Sequence, residues 1–355
     1  MDIEYVGICL PSKLYKRFPI FGIHKEENLE LYEAGAKMYS INLCYFRWED
    51  IQPGQTIIKA YVKYESGYQL CTLETPKVIF NRTMTSSLKV RRKIKALTSE
   101  GRQIFNSYIR DRKYFIHTIL MKNPDLVPHL PETLIATNDS IHNMMKKYDE
   151  LIIKPSNDYL GRGIMKLQKT CNNQWSLIYN TANETRKIDF EYEFPDVLLH
   201  SINSRAYLVQ KRIPLDTHEG NPFDIRVHVQ RDETGDWNIT GMLVRVAPKH
   251  GFLTNVGQGG TSYTLEDIVD LAKRIEVQQA ISSLSLKVAE CLTGNLPHLA
   301  DIGLDIGLTK EGSPYFIECN FRPHRYIFLG ADMVDERQLT HTRPIGYARF
   351  LLDKK

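Results

Sequence analysis

The sequence of 355 residues has no long apolar segment and no closely spaced pair of cysteines. No apolar run approaches the roughly 18 residues that a membrane-spanning helix needs, so we expect no transmembrane helix. The six cysteines are scattered without a Cys-x-x-Cys pair, which argues against a zinc knuckle and a disulfide framework. The first residues lack the basic start and apolar core of a signal peptide. These absences together predict a cytoplasmic protein.

Strong charge imbalance and compositional bias are also missing. The net charge is +4, and 42% hydrophobic and 25% charged residues are typical of a globular protein. Basic residues concentrate at 89–102 and 110–113, where a solvent-exposed helix face is favoured over a nucleic-acid surface. The chain exceeds the usual size of one hydrophobic core, so two or three subdomains are expected.

The most informative pattern is a β-hairpin at residues 303–320. Two strands flank a turn at 310–313, and this turn sets Asp305 opposite Glu318 with no basic residue available between them. Period-two alternation separates a polar from an apolar face. The predicted polar face carries Gly303, Asp305, Gly307, Phe316, Glu318 and Asn320, and the predicted apolar face carries Leu304, Ile306, Leu308, Tyr315, Ile317 and Cys319.

This hairpin predicts a cation site, because like charges that pair directly across two strands are destabilising. Asp305, Glu318 and the amide oxygen of Asn320 are the hard oxygen ligands that Mg²⁺ prefers, with water and substrate phosphate completing its coordination. The hairpin alone leaves a second interpretation open, a solvent-exposed polar face.

A second pattern joins two strands through a loop with two glycines at residues 151–167. Gly161 and Gly163 allow backbone N–H groups to approach phosphate oxygens closely. Lys154, at the end of the first strand, could reach the α and β phosphates. The loop is neither Gly-x-Gly-x-x-Gly nor a Walker loop, so an ordinary hairpin turn stays open as the alternative.

A third pattern is an alternating strand at residues 223–230, whose polar face carries Asp224, Arg226, His228 and Gln230. Its hairpin partner at 237–246 ends with Arg245. Both arginines could therefore point into one cleft, where two guanidiniums suit a phosphate or a carboxylate. Surface cations on an antiparallel sheet are the alternative.

The rest of the chain predicts an N-terminal α/β unit, a helical segment at 87–120 and one long helix at 264–292. The N-terminal unit is expected to form a partly parallel sheet from strands at 6–10, 41–48, 57–64, 68–73 and 78–80 and a helix at 25–37. Apolar positions of the long helix include Leu271, Ile275 and Ile281. We expect domains at 1–95, 96–205 and 206–355.

Taken in order, these motifs resemble the ATP-grasp superfamily over residues 113 to 325. The resemblance rests on Lys154 with its glycine loop, Gln210-Lys211-Arg212-Ile213, Asp224-Ile225-Arg226, Arg245, Asn255 with Gly259-Gly260, and Asp305 to Glu318-x-Asn320. Within the superfamily the chain looks most like the YheC/YheD family of spore-coat-associated proteins, on Gly161-Arg162-Gly163-Ile164, Pro222 to Val227 and Thr254-Asn255.

The resemblance implies an α+β or α/β architecture, in which two α+β subdomains clasp ATP beside an N-terminal α/β domain. It also implies ATP with one or two Mg²⁺ ions as cofactors, with Mn²⁺ as a substitute. Implied roles are phosphate binding by Lys113 and Lys154, a phosphate cover at Gly161, Arg162 and Gly163, adenine binding by Gln210, Lys211 and Ile213, ribose binding by Asp216, metal binding by Asp305, Glu318 and Asn320, and catalysis by Lys154, Arg226 and Arg245.

The implied activity is a carboxylate-amine or carboxylate-thiol ligase that forms an acylphosphate and ADP. Its partners would be ATP, a carboxylate substrate and an amine acceptor, with neither membrane nor nucleic acid. Two alternatives stay open: a non-catalytic ATP-binding protein that associates with spore-coat proteins, and a peptide or carrier-protein ligase of a natural-product pathway. Residues 321–325, Phe-Arg-Pro-His-Arg, replace the Ser-x-Pro-Gly of many relatives, which indicates an anionic second substrate or a different surface turn.

Overall fold

The structure, a computed structural model, describes residues 4–17, 27–84, 87–107, 113–157, 161–170, 174–181, 184–249 and 251–354. Parts of three predicted segments lie outside the described residues: 25–26 of the first helix, 110–112 of the basic stretch and 158–160 of the glycine loop. Within the described part of the chain the strands form three sheets, each with helices packed beside it. The predicted mixture of helices and sheets is confirmed.

The first sheet is partly parallel, as its strand-helix-strand pattern predicts. Its elements are β1 (Tyr5–Cys9), α1 (Ser12–Tyr15), α2 (Leu29–Met38), β2 (Asn42–Phe46), β3 (Ile57–Tyr64), β4 (Gly67–Glu74), β5 (Val78–Asn81), α3 (Leu88–Ser99) and β6 (Gln103–Phe105). The strand order is β4-β3-β2-β1-β5-β6, with β1 parallel to β2 and β5, and with β3 and β4 paired antiparallel as a hairpin. Strand β6 interrupts the expected helical segment because Ile104 and Phe105 are buried beside β5.

The second sheet is antiparallel and carries the glycine loop. Its part of the chain contains α4 (Lys113–Leu120), β7 (Thr133–Ile135), α5 (Asn138–Lys147), β8 (Glu150–Pro155), β9 (Met165–Lys169), β10 (Trp175–Asn180), β11 (Thr185–Phe190), α6 (Asp196–Ser204) and β12 (Tyr207–Lys211). The order is β11-β10-β9-β8-β12-β7, and the glycine loop joins neighbours β8 and β9. Thr137 caps α5 through a reciprocal capping box with Ser140.

The third sheet is antiparallel and carries the predicted carboxylate hairpin. Its elements are β13 (Thr217–His218), β14 (Asn221–Arg231), β15 (Trp237–Val246), β16 (Thr261–Tyr263), α7 (Leu265–Ile268), α8 (Leu271–Thr293), β17 (Asp301–Leu308), β18 (Pro314–Asn320) and α9 (Val334–Asp353). The order is β16-β15-β14-β17-β18, with β13 beside β14. One face of the sheet packs on α4 and α8, and its apolar side chains lie there; part of the other, polar face packs on α9.

The chain returns to the first sheet at its C-terminal end. Ile345, Tyr347 and Ala348 of α9 are buried in one cluster with Val6 and Ile8 of β1. Strand β6 lies in the first sheet and β12 in the second, so these sheets extend beyond residues 95 and 205. The three predicted domain limits stay predictions. No helix within the described ranges has both the length and the apolar character to cross a membrane.

The single helix expected at 264–292 is wrong, because the segment folds as α7 and α8. Val269 between them has extended dihedral angles, and Thr264 forms a capping box with Asp267 at the start of α7. Leu271 and Ile275, which the helical pattern assigns to the core, are 76% and 70% exposed. Because α7 and α8 are separate helices, their apolar positions do not follow one continuous helical repeat. Ile281 of α8 is buried, as predicted.

Candidate functional site

The polar face of β14 forms one wall of the candidate site. Asp224 and Arg226 lie two residues apart on this face, and both are buried. Antiparallel pairing puts Arg245 of β15 opposite Asp224, and Asp305 of β17 opposite Arg226. Strand alternation thus brings four charged side chains from three strands together. The alternative of surface cations is wrong, since Arg226 and Arg245 are 6% and 4% exposed.

Both arginines bind Asp305. Arg226 donates from Nε to Oδ1 and from Nη2 to Oδ2, the latter at 3.2 Å, and Nη2 of Arg245 lies 3.1 Å from Oδ2. Burial alone would raise the pKa of Asp305, but the two guanidiniums hold that pKa well below its usual range. The expectation that no basic residue is available beside the carboxylates is wrong, because the arginines come from β14 and β15 rather than from the hairpin.

The β17–β18 hairpin has the predicted pairing and, in addition, a β-bulge. Asp305 lies opposite Glu318 as expected, but the next pair toward the turn joins Ile306 with Phe316, so Ile317 is an extra residue. Phe316 packs in the core, and Ile317 lines the cavity described below. The bulge makes the predicted faces wrong for Tyr315, Phe316 and Ile317.

Glu318 and Asn320 line the site beyond the bulge. Nζ of Lys113, the first residue of α4, lies 2.9 Å from Oε2 of Glu318. The backbone N–H of Lys113 donates to the carbonyl of Ser156 at 3.0 Å, which ties α4 to the end of β8. Nδ2 of Asn320 is buried and has no hydrogen-bond partner among the described residues. Asn320 is nevertheless one of the residues that line the cavity described below.

Lys154 enters the site from the second sheet. It is 5% exposed, and its Nζ donates to Oε1 of Gln210 at 2.8 Å. Gln210 in turn donates to the hydroxyl of Thr133 at 2.7 Å, which fixes the amide orientation. Burial, and then the neighbouring charge of Lys113, lower the pKa of Lys154 to about 8, although Glu318 and Asp305 oppose the shift. A buried ammonium with no carboxylate bonded to it among the described residues suits an anionic ligand.

These side chains line one cavity of about 420 Å³ between the second and third sheets. The structure brings most of the predicted site residues together around it: Lys113, Lys154, Gly161, Gln210, Lys211, Ile213, Arg226, Arg245, Asp305, Glu318 and Asn320. The lining also includes the apolar residues Ile152, Ile213 and Leu215, of which Ile213 and Leu215 lie beside Gly307 of β17. The volume is within the range of about 300–1,000 Å³ that is usual for small-molecule sites.

Three predicted residues, Arg162, Gly163 and Asp216, lie outside the cavity lining. Gly163 has a φ of +70°, and a Cβ there would lie 2.9 Å from the hydroxyl oxygen of Tyr207, so the absence of a side chain lets the loop pack against β12. Oδ1 of Asp216 accepts from the backbone N–H of Thr217 at 2.8 Å. The structure does not place the Asp216 carboxylate against the cavity.

Other residues line the cavity without a role assigned from the sequence. Asp224 holds Arg245 through two hydrogen bonds of 2.8 and 2.6 Å. Residues 252–257 approach from the glycine-rich segment, where Oδ1 of Asn255 accepts from the backbone N–H of Gly257 at 2.8 Å. The run of glycines was the available signal for that segment. Met84 comes from the end of the first sheet, and no local pattern points to it.

Segment 321–325 is not a surface turn, so that interpretation is wrong. Arg322, Pro323 and His324 line the cavity. Arg325 is fully buried, and its Nη2 lies 2.6 Å from Oδ2 of Asp301. The charges of this segment therefore divide between the cavity wall and the interior.

The oxygen ligands of the hairpin fit Mg²⁺ when a polyphosphate supplies further oxygens. No group of three or more His, Cys, Asp or Glu side chains that could hold a metal occurs in the part of the chain that the structure describes. Asp305, Glu318 and Asn320 offer two carboxylates and one amide. Mg²⁺ usually binds one or two carboxylates together with substrate phosphates and water. Oδ1 of Asp305 keeps one lone pair beyond its contact with Arg226, whereas both lone pairs of Oδ2 face arginines.

Comparison with known families agrees with this geometry. A family model for YheC/D-like ATP-grasp proteins matches residues 101–351, well over half of the chain. The chain belongs to the YheC/D-like ATP-grasp family. Two family relatives are known from Bacillus subtilis (strain 168). The endospore coat-associated protein YheD is 27% identical over 331 residues, which cover 91% of this chain and 72% of YheD. The endospore coat-associated protein YheC is 25% identical over 335 residues, covering 90% and 91% of the two chains.

Solved structures confirm the ATP-grasp fold of this YheC/D-like protein. The ATP-grasp ligase PsnB, solved with a minimal precursor, has a TM-score of 0.52 at 13% identity, covering 96% of this chain and 100% of PsnB. A RimK domain ATP-grasp protein from Sphaerobacter thermophilus DSM 20745 has a TM-score of 0.51 at 12% identity, covering 98% of both chains. The predicted superfamily, family and fold are therefore confirmed.

Proposed function

We propose that this protein is an ATP- and Mg²⁺-dependent ligase that joins a carboxylate to an amine or thiol through an acylphosphate. One observation carries the proposal. Four cationic side chains, two carboxylates and one amide from α4, the second sheet and the third sheet line a single cavity: Lys113, Lys154, Arg226, Arg245, Asp305, Glu318 and Asn320. The cationic groups suit a polyphosphate, and the oxygen ligands suit the Mg²⁺ that accompanies it.

The nucleotide would lie across the cavity, with its phosphates toward the hairpin. Lys113 and Lys154 would bind the phosphates, and the loop at Gly161 would approach them from β8. The adenine would lie against Ile152 and Ile213, where the backbone after Gln210 offers hydrogen-bonding groups. Asp216 lies outside the lining, so its proposed ribose contact is the part of this pose that the geometry supports least.

In the first chemical step, an oxygen of the substrate carboxylate attacks the γ-phosphorus. The bond to the bridging oxygen of the β-phosphate breaks, and ADP leaves with the electron pair. In the second step, the acceptor attacks the acyl carbon, inorganic phosphate leaves, and the acceptor loses its proton. Mg²⁺ would neutralise charge on the phosphate oxygens during transfer. No covalent side-chain nucleophile is needed, since positioning and charge stabilisation lower the barrier.

Arg226 and Arg245 would stabilise the transferred phosphate. Their bonds to Asp224 and Asp305 use Nε and Nη2 of each guanidinium, which leaves Nη1 of each outside these ion pairs. The carboxylates thereby fix the direction of both guanidinium planes. Preorganised donors of this kind need little rearrangement when charge develops on the phosphate.

The names of the B. subtilis relatives favour a second candidate, an ATP-binding protein that acts in the spore coat without turnover. ADP release during incubation with Mg²⁺-ATP and pools of amino acids, peptides and small carboxylates distinguishes the two. The ligase predicts acceptor-dependent ADP formation in the wild type and in Arg186→Gln, an exposed control on β11. Nucleotide binding without ADP formation in any pool would favour the coat protein.

A further inference from the structure

Helix α3 (Leu88–Ser99) carries positive charge and no acidic residue. Five of its 12 residues are basic, and all five lie between positions 89 and 95: Lys89, Arg91, Arg92, Lys93 and Lys95. The next acidic residue along the chain is the C-cap residue Glu100, which pairs with Arg102. The positive charge of the helix therefore has no counterpart within the helix itself.

One side of α3 fixes the helix to the first sheet. Lys93 is 7% exposed and donates from its Nζ to the carbonyl of Trp48, just beyond β2. Ile94 and Leu97 are buried in one cluster with Ile58 and other core residues of the sheet. The helix is thus held in one orientation, and its other side faces solvent.

The solvent side of α3 is basic with one apolar end. At 3.6 residues per turn, Leu88, Arg92 and Lys95 fall on one face of the helix, and Lys89 lies at the border of that face. All four are exposed, and Leu88 is 68% exposed although it is apolar. We call these four residues the basic face. The 12-residue helix is about 18 Å long, which equals five or six residues of extended chain.

The protein leaves the cations of the basic face without a carboxylate. The side chains of Lys89, Arg92 and Lys95 form no ion pair or hydrogen bond with the residues that the structure describes. Glu49 and Asp50 are acidic neighbours of the buried Lys93 rather than of this face. These two carboxylates also have partners of their own, since Asp50 binds Arg47 and Glu49 accepts from Ser12.

The charge pattern also weakens the helix. Arg92 follows Lys89 by three residues and precedes Lys95 by three, and like charges at this spacing repel each other. Lys89 lies in the first turn, which has no acidic residue, although the helix dipole favours negative charge there. A face that only had to be soluble would be more stable with charges of both signs. An external anion would offset both unfavourable effects.

The basic face begins beside the cavity. Met84 is 49% exposed and is one of the cavity-lining residues. Leu88 follows it by four residues, which span at most about 14 Å even when fully extended. A partner that lies along the basic face therefore has one end near the cavity.

The composition of the basic face favours a polypeptide over a nucleic acid. Surfaces that bind single-stranded nucleic acid combine cations with aromatic side chains on which bases stack. Helix α3 has no aromatic residue, and the net charge of the whole chain is only +4. The exposed Leu88 instead suits an apolar side chain, which a polypeptide can place next to its carboxylates.

We propose that the basic face of α3 docks an acidic segment of a partner polypeptide, five or six residues long. Its carboxylates pair with Lys89, Arg92 and Lys95, and an apolar side chain packs on Leu88 at the end nearer the cavity. This docking surface lies outside the nucleotide site, so the proposal holds whether or not the cavity catalyses ligation.

Fluorescence anisotropy with two matched peptides tests the proposal. The probes are fluorescein-labelled hexaglutamate and hexaglutamine, titrated with the full chain at about 50 and 200 mM salt. We expect the wild type to bind hexaglutamate about tenfold more tightly than hexaglutamine at the lower salt concentration, and the difference to shrink at the higher one, because exposed ion pairs are screened.

Two double variants with the same change in net charge locate the binding. Arg92→Gln/Lys95→Gln should weaken hexaglutamate binding about fivefold or more. Lys37→Gln/Lys59→Gln, two exposed positions on the opposite side of the first sheet, should stay within twofold of the wild type. The first variant should unfold in urea at the same or a higher concentration than the wild type, because it removes a repulsion.

Three results would overturn the proposal. One is equal affinity for the two peptides, including no binding of either, and another is an equal loss in both double variants. The third is tighter binding of a single-stranded 12-nucleotide DNA that Arg92→Gln/Lys95→Gln abolishes, which would assign the face to nucleic acid. If that variant is destabilised, Lys89→Gln/Lys95→Gln replaces it, and undiminished hexaglutamate affinity there would count against the proposal equally.

Discussion

Strand β17 carries two aspartates, Asp301 and Asp305, on one face. Each binds two arginines, but only one of the two borders the cavity. Asp301 binds Arg82 and Arg325, and Asp305 binds Arg226 and Arg245. Asp301 is fully buried where the first and third sheets meet, whereas Asp305 lines the cavity. The same pairing of aspartate with two arginines therefore joins the first and third sheets at one end of the strand and borders the cavity at the other.

His228 of β14 separates the two aspartate clusters. It is fully buried, its ring centroid lies 4.9 Å from that of Phe328, and neither ring nitrogen has a hydrogen-bond partner among the described residues. Burial, followed by the charges of Arg226, Arg325 and Arg82, lowers the pKa of His228 well below its usual value. We therefore expect the imidazole to be neutral at pH 7, and it lies between the two clusters.

The largest expected effect is on stability, in Asp301→Asn. The change leaves Arg82 and Arg325 buried with one carboxylate fewer, and breaking a buried ion pair costs about 3–5 kcal/mol. Asp305→Asn should cost less, because its cluster borders the cavity and Asp224 still holds Arg245. Urea unfolding of both variants measures the difference. Equal destabilisation by the two changes would remove the distinction between a structural and a ligand-facing cluster.

The next effect is on turnover, in Glu318→Gln. We expect ADP formation to fall on the order of 10²-fold or more, because the metal end of the site loses a carboxylate. Its partly exposed contact with Lys113 contributes about 1 kcal/mol or less to stability, so unfolding should change little. Glu311→Gln, at the exposed turn of the same hairpin, is the control. Unchanged turnover in Glu318→Gln would argue against the metal assignment.

A smaller effect is the pH dependence of nucleotide binding. The free protein has a Lys154 pKa of about 8, and a bound polyphosphate would raise that pKa, so binding takes up a proton above pH 8. AMPPNP affinity should therefore be highest below pH 8 and fall about tenfold per pH unit above it. Lys154→Met should bind more weakly and lose this dependence. Calorimetry in buffers of different ionisation enthalpy measures the proton uptake, and no uptake at pH 9 would contradict the phosphate role.

The smallest effect is expected for His228→Leu. The neutral imidazole makes no hydrogen bond to the described residues, so an apolar side chain of similar volume should change stability by less than about 1.5 kcal/mol. AMPPNP affinity should stay within twofold of the wild type. A loss of several kcal/mol in urea unfolding would mean that His228 couples the clusters rather than separating them.

The sequence predicts those parts of the site that depend on local alternation. The pairing of Asp305 with Glu318, the polar face of β14 and the approach of Arg245 all follow from strand period and turn position. The bulge at Ile317 could not be predicted, because an extra residue reverses alternation without any glycine or proline to mark it. The break between α7 and α8 could not be predicted for a similar reason: the helical spacing of the apolar residues continues across Val269.

The buried ion pairs of Arg82 with Glu27 and Asp301 show the limit of local patterns more clearly. Glu27 precedes α2, Arg82 follows β5 and Asp301 begins β17, so their meeting depends on how distant segments pack. Arg82 follows β5 at the carboxyl end of a parallel strand, a position that often carries functional side chains, and this was the available signal. The same limit explains why Asp305 was expected to lack a basic neighbour: Arg226 is 79 residues away in sequence.

The central claim is that the cavity beside Asp305 binds a nucleotide together with Mg²⁺. Titration of AMPPNP into the wild type and Glu318→Gln, each with Mg²⁺ and with EDTA, tests it most directly. We predict that Mg²⁺ increases the affinity of the wild type about tenfold or more and that Glu318→Gln loses most of this gain. Equal affinity with Mg²⁺ and with EDTA in the wild type, or an undiminished gain in Glu318→Gln, would contradict the account.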